Sequence, residues 1–414
     1  MLWQPSLSKR YLDATPESLA ADIEDRRHRL GEKLVILGHH YQVDDVIEHA
    51  DFTGDSLKLS QLAAKVADER PVEHVVFCGV HFMAETADIL TPDHVKVILP
   101  DLSAGCSMAD MADHDDTVDA WNTIHEAIRL ENGGSWNGRV IPITYVNSTA
   151  AIKAFVGEHG GACCTSSNAD RVFAWALNGG DTPRAEGEEI KILFLPDQHL
   201  GRNTAAAYGI DVATRTCVYD PKLARRGEPF GGPDSETIAN ADVILWAGHC
   251  SVHKLFRPEH CAEIREANAA LPASEEPTRI MVHPECAKEV VDLADESGST
   301  EAIIRTIEAS PAGAKWAVGT ETHLVNRLRK RMAERDVEVR LLSDCQCLCT
   351  TMYRIDRRRL LWVLDGLCGI GDDGQDIPPV ERNVIAVHPE VASLATAALD
   401  RMLALSAPAA NMQS

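Results

Sequence analysis

Three apolar runs in this chain each end in a pair of side chains able to exchange protons or accept hydrogen bonds. Residues 34–38 lead to His39 and Tyr41, residues 141–144 to Tyr145 and Asn147, and residues 279–282 to His283 and Glu285. Each pair is spaced i, i+2, and extended residues two apart project to the same side. Together they supply two imidazoles, two phenols, an amide and a carboxylate, the groups on which general acid–base chemistry draws. One such pair alone is more simply a loop bonding its own backbone. Three at matching positions point to a site.

Hydroxyl-rich turns and cysteines recur in the same order. Gly54-Asp55-Ser56, Thr165-Ser166-Ser167 and Gly298-Ser299-Thr300 stand beside segments with room for helices. A hydroxyl there caps a helix, worth about 1 kcal/mol. Alternatively it joins the free backbone N–H groups and the helix dipole in holding a phosphate or carboxylate. Further along each copy the chain reaches thiols: Cys106, then Cys250, then one of Cys345, Cys347 and Cys349. Three thiolates at one centre can hold three irons of a [4Fe–4S] cluster and leave the fourth open as a Lewis acid. Catalytic zinc, with three ligands and an open position, is the competing reading, although all-thiolate ligation favours iron–sulfur. Cys78, Cys163, Cys164, Cys217, Cys261, Cys286 and Cys368 are read as small core residues.

What must position these groups is a four-block pattern run through three times. The strand ending in a polar pair comes first, and the hydroxyl turn with its helix second. A strand at residues 75–79, 192–196 and 316–320 is third, and another at 97–100, 243–246 and 337–342 is fourth. After Ser56, Leu59, Leu62, Ala63 and Val66 share one helical face; before Ser299, Ala287, Val290, Val291 and Ala294 do the same. Strands alternating with helices make parallel α/β layers. Ligands bind beyond the carboxyl ends of such strands, so three small α/β units facing a common axis would gather the polar pairs and the thiols.

The bulk properties narrow the partners. Of 414 residues, 45% are hydrophobic and 25% charged, as in soluble globular proteins. No apolar run is long enough for a membrane span. Residues 1–30 lack a signal-peptide pattern, so a cytoplasmic protein is expected. A net charge of −23 argues against nucleic acid and anionic membranes as partners. It leaves room for a small anion held by helix N-termini and a few local cations. Twelve cysteines in a reducing compartment suggest metal binding or burial before disulfides.

At the level of motifs, the chain resembles the quinolinate synthase family from about Val35 to Leu361. The resemblance rests on Gly38-His39-His40-Tyr41-Gln42, Gly54-Asp55-Ser56-Leu57, Phe82-Met83-Ala84-Glu85-Thr86-Ala87, Tyr145-Val146-Asn147-Ser148 and Thr165-Ser166-Ser167-Asn168-Ala169. It continues through His199-Leu200-Gly201-Arg202, Gly248-His249-Cys250-Ser251-Val252-His253, Val282-His283-Pro284-Glu285 and Gly298-Ser299-Thr300. It implies an α/β fold of three pseudo-equivalent three-layer αβα domains with parallel sheets around a central pseudo-threefold site. These are expected at 31–132, 133–272 and 273–375, between an N-terminal helical extension (1–30) and a C-terminal segment (376–414).

The resemblance further implies a transferase of NAD biosynthesis. It would condense iminoaspartate with dihydroxyacetone phosphate to quinolinate, phosphate and water, with an L-aspartate oxidase as candidate supplier of iminoaspartate. The implied [4Fe–4S] ligands are Cys106, Cys250 and Cys347. The implied catalytic residues are His39, Tyr41, His253, His283 and Glu285; His39, Ser56, Tyr145, Asn147, Ser166, His283, Glu285, Ser299 and Thr300 would bind substrate. His253 comes from the resemblance alone. Three departures stand out. Cys347-Leu348-Cys349-Thr350 replaces the usual Cys-Pro-x-Met, Gln198 replaces a lysine found in some relatives, and residues 157–163 read as a lengthened loop. Another iron–sulfur hydro-lyase would share the open iron but need a different pocket. A redox or metal sensor built on Cys345, Cys347 and Cys349 would leave the polar pairs unexplained.

Overall fold

The computed structural model describes residues 4–344 and 347–406; Cys345 lies outside the described residues. The strands described are β1 (Leu34–His39), β2 (Phe52–Gly54), β3 (His74–Cys78), β4 (Lys96–Ile98), β5 (Gly138–Tyr145), β6 (Ala162–Cys164) and β7 (Glu189–Leu195). They continue with β8 (Thr216–Tyr219), β9 (Val243–Trp246), β10 (Thr278–Val282), β11 (Glu296–Ser297), β12 (Lys315–Gly319), β13 (Glu338–Leu341) and β14 (Val384–Ile385). They form three parallel-dominated sheets flanked by helices, the expected α/β class.

One sheet runs β14-β4-β3-β1-β2, a second β6-β5-β7-β9-β8, and a third contains β11-β10-β12. In each, the strand that carries a polar pair lies between the next two strands of its copy: β2-β1-β3, β6-β5-β7 and β11-β10-β12. The registers match as well. Gly38 pairs with Cys78, Thr144 with Leu195, and Val282 with Gly319, so neighbouring strands end level beside each polar pair. β1 is buried along its whole length, as a strand covered on both faces must be.

The chain forms two compact units. The first takes in Met1–Cys106, Thr320–Leu341 and Cys345–His388. Here the helix Pro16–Leu30 packs on the helix Arg357–Leu367. The contact is centred on Asp365, fully buried, which accepts from Arg10 (2.5 Å), Arg26 (2.9 Å) and the Tyr11 hydroxyl (2.9 Å). β14 closes this unit's sheet edge, antiparallel to β4.

The second unit takes in Ser107–Gly319, Leu342–Asp344 and Pro389–Ser414. The helix Pro389–Ser406 lies against the helix Ala150–Glu158 so closely that a Cβ on Gly157 would stand 1.9 Å from the Leu394 carbonyl oxygen. Asn168 donates to the Ser406 hydroxyl (2.6 Å), which braces the turn carrying Ser166. The expected lengthened loop at 157–163 is therefore corrected. The helix runs through Gly157 to Glu158 and β6 starts at Ala162. Gly157 serves close helix packing there, not a loop.

Many of the acidic residues have a local duty. Asp55, Asp197, Asp234, Glu321 and Asp356 accept backbone N–H groups at helix starts, where a negative charge is favoured. No described helix is long and apolar enough to cross a membrane.

Candidate functional site

In the first unit, His39 is the last residue of β1 and is 4% exposed. The chain turns at once, and the His39 Nδ1 accepts the Tyr41 N–H (3.1 Å). The two rings meet edge to face at 4.8 Å, and the Tyr41 phenol is 3.0 Å from the Thr320 hydroxyl. Gln42 follows, wholly buried, with neither amide atom hydrogen-bonded. Ser56 is the first residue of the helix Ser56–Glu69, but the cap is Asp55, which accepts the Lys58 N–H (2.9 Å). The reading of Ser56 as a cap is thereby corrected.

Cys106 lies in the loop beyond β4, partly exposed, and Cys347 beyond β13, buried. The Cys347 carbonyl accepts the Thr322 N–H (3.1 Å). This ties the thiol's loop to the start of the helix Thr322–Ala333, which Glu321 caps. Burial pushes the Glu321 carboxyl up to about 8 despite that capping. Cys349 lies 3.6 Å from the Thr351 hydroxyl, and burial raises its thiol.

The second unit holds a tighter group. His253, His283 and Glu285 are 1%, 2% and 3% exposed. The His253 Nδ1 is 2.7 Å from Glu285 Oε2, and the two imidazoles stack at 4.5 Å. His283 repeats the device seen at His39, its Nδ1 accepting the Glu285 N–H (3.3 Å). The Cys250 thiol joins them: donor atoms of Cys250, His253 and Glu285 all lie within 4.8 Å of one another. Burial works against the Glu285 charge, but the two imidazoles and hydrogen bonds from His253 and Tyr145 hold its carboxyl well below the usual range. Burial pushes His283 down to about 3, leaving it neutral.

The remaining candidates in this unit are at strand and helix ends. Tyr145 ends β5, and Asn147 lies two residues on with its Oδ1 buried and unpartnered. Ser166 sits in the turn before the helix Ala169–Leu177, whose N-cap residue is Asn168. Ser299 does cap the helix Thr300–Glu308, accepting the Ala302 N–H (3.3 Å), and Thr300 opens that helix, 5% exposed.

Two of the three pairs, His39 with Tyr41 and His283 with Glu285, come together by a mechanism different from the expected one. Same-side projection of extended residues does not apply, because the chain leaves the strand at His39 and at Val282. The i, i+2 spacing works through a turn in which the first imidazole accepts the second residue's N–H. Sequence reasoning also missed Thr320, Gln42 and Asp197. Asp197 is fully buried, and its Oδ1 accepts the His199 and Leu200 N–H groups (2.7 and 3.0 Å). Burial and the nearby Glu285 charge push its carboxyl well up, against the pull of N–H groups including that of Cys250. An acidic residue directly after Pro196 and before a helical run was its only signal. An open cleft of about 480 Å³ lined by Trp121, His125, Trp136, Arg139 and His159 lies at the amino-terminal end of β5 and holds none of the candidate residues.

Comparison with known proteins converges on one family. The model described as quinolinate synthetase A protein matches residues 21–404. The quinolinate synthase of Acidobacterium capsulatum is 49% identical over 393 residues, 95% of this chain and 94% of the relative. That of Herpetosiphon aurantiacus is 48% identical over 96% of this chain and 95% of its own length. That of Streptomyces coelicolor is 46% identical over 94% and 88%.

Proposed function

Because the chain belongs to the quinolinate synthetase A family, we propose that it condenses iminoaspartate with dihydroxyacetone phosphate to quinolinate, phosphate and water, in NAD biosynthesis. The observation that carries this reading is the buried His253–Glu285–His283 group beside the Cys250 thiol. It joins a proton-transfer apparatus to a metal-binding donor. An L-aspartate oxidase is the expected supplier of iminoaspartate.

Cys106, Cys250 and Cys347 would hold a [4Fe–4S] cluster. Each of these thiols is on a loop beyond a strand's carboxyl end. By contrast, Cys78, Cys163 and Cys217 lie inside β3, β6 and β8, where burial pushes their thiols up to about 12. When bound, such a cluster supplies an open iron that polarises an oxygen of the intermediate.

The chain's own residues do the rest. Glu285, hydrogen-bonded to His253, moves protons together with one of the histidines during carbon–carbon bond formation. His283, neutral, offers an uncharged ring to the dehydrating intermediate. The Tyr41 phenol, oriented by Thr320, donates to a leaving or developing oxygen, and His39 fixes the Tyr41 backbone. Ser56, Ser166, Ser299 and Thr300, at or near helix starts, bind the phosphate and carboxylates with Tyr145 and Asn147. The three αβα segments, at 31–132, 133–272 and 273–375, each contribute a polar pair, a hydroxyl turn and one cluster thiol.

The test is anaerobic purification, analysis for iron and sulfide, and an assay for quinolinate from the two substrates. About four irons per chain, lost on replacing any of the three cysteines by alanine, together with quinolinate formation, is the expected result. Iron-loaded protein that makes no quinolinate would exclude the reaction. A second reading, a mononuclear zinc on Cys250, His253 and Glu285, is favoured by the closeness of their donor atoms. Zinc in place of iron, retained when Cys106 and Cys347 are replaced by alanine, would establish it.

A further inference from the structure

Beside the Cys250 loop, the second unit gathers two cations and two imidazoles with no carboxylate, among the described residues, in salt-bridge distance of them. His199 and Arg202 are three residues apart on the helix Gln198–Ala207 and so share a face. His249 and Lys254 flank Cys250, with the Lys254 ammonium 3.3 Å from His249 Nε2. The Gln198 N–H donates to the Gly248 carbonyl (3.0 Å), which sets the two segments side by side, and Arg202 and Lys254 act electrostatically on His199. Among the described residues, no carboxylate lies within salt-bridge distance of Arg202; its one side-chain hydrogen bond is to Gln198 Oε1 (3.3 Å). Glu289 acts on both His199 and Arg202, and Asp197 on Arg202, without pairing with either.

This arrangement is costly. The chain carries 63 acidic and 40 basic residues, yet here like charges stand together and a half-buried guanidinium has no counter-ion. The His199 Nδ1 is buried without a partner, and burial with these cations pushes that imidazole down to about 4. Burial also lowers Arg202. The backbone of the helix start is already occupied: Asp197 takes two N–H groups, and Gln198 donates to the Gly248 carbonyl. A ligand here must therefore be held by side chains. What relieves both the unpaired guanidinium and the orphan imidazole is a small anion accepting several charge-assisted hydrogen bonds.

We propose that His199, Arg202, His249 and Lys254 form a second anion site, outside the reaction residues, that takes the phosphate group of a small phosphorylated molecule. Its use in drawing a phosphorylated substrate toward the reaction centre rests on the function proposed above. The site itself does not.

The experiment is calorimetric titration of inorganic phosphate into the full, iron-loaded protein at fixed ionic strength. Wild type, Arg202→Gln, Lys254→Gln and Ser299→Ala are compared. The expected result is a phosphate-binding event weakened about tenfold or more by Arg202→Gln. It weakens to a lesser degree in Lys254→Gln, an exposed position that leaves folding alone, and persists in Ser299→Ala. Binding unchanged in both Arg202→Gln and Lys254→Gln, or no binding to wild type, overturns the site. Quinolinate formation is measured on the same wild-type sample. Phosphate binding sensitive to Arg202 without turnover leaves this site standing and removes the proposed reaction. Turnover without such binding does the reverse.

Discussion

Replacing Glu285 by glutamine removes one charge from a group that is 3% exposed while keeping its size. The carboxylate accepts from His253 at 2.7 Å and also from Tyr145. Glutamine can still accept at its carbonyl end, but its amide end cannot take a proton or accept the second hydrogen bond. A hydrogen bond to a buried charged group contributes about 1.5–3 kcal/mol. If that term acts in the transition state, its loss lowers turnover by about tenfold to a hundredfold. The backbone N–H of residue 285 still reaches His283 Nδ1, so the turn should survive. The assay is quinolinate formation at saturating substrates, with iron content and thermal unfolding measured alongside. Turnover reduced in that range with iron retained is the expected outcome. Turnover within twofold of wild type would show that the Glu285 charge takes no part. Simultaneous loss of metal would make Glu285 a ligand and favour the zinc reading.

Tyr41→Phe should keep iron and fold, losing only the phenol that meets Thr320, and should abolish most turnover; full activity would remove Tyr41 from the mechanism. Asp365→Asn leaves two arginines around a neutral group in the first unit and should cost about 3–5 kcal/mol in chemical unfolding; a loss below about 1 kcal/mol would mean that the three-way contact is dispensable. Gln42→Met removes two buried, unpartnered amide atoms and should raise unfolding stability by about 1 kcal/mol; a decrease would show that a water partners the amide. Glu321 sets a pH dependence. Its folded carboxyl titrates at about 8 against an ordinary 4.5, so the protonated form stabilises the fold fully below 4.5, and that contribution is lost as pH rises to 8. Glu321→Gln should therefore gain stability over wild type progressively across that window in urea unfolding; a gain independent of pH would contradict the assignment.

Periodicity was enough to recover the strand pattern, because strands buried on both faces must be continuous apolar runs. β1, β3, β5, β7, β9, β10 and β12 fall on the segments read as strands, and β13 falls on one too, although it is partly exposed and alternates Glu338 and Arg340 with apolar residues. The placing of polar residues at strand ends was also legible, since an apolar run stops where the chain leaves the sheet. That covers His39, Tyr145 and His283. Side-chain direction was not legible: the turns after β1 and β10, not extended backbone, relate His39 to Tyr41 and His283 to Glu285. Hydrogen bonds between residues far apart in the chain were equally hidden. His253 meets Glu285 across 32 residues and Tyr41 meets Thr320 across 279, and no local spacing encodes such pairs. Ser56 and Ser299 looked alike as helix-start residues, yet Asp55 caps one helix and Ser299 itself caps the other. Local sequence determined which groups stand at the ends of the strands. Only the packing of distant segments decided which of them are buried together, and burial is what shifts their protonation.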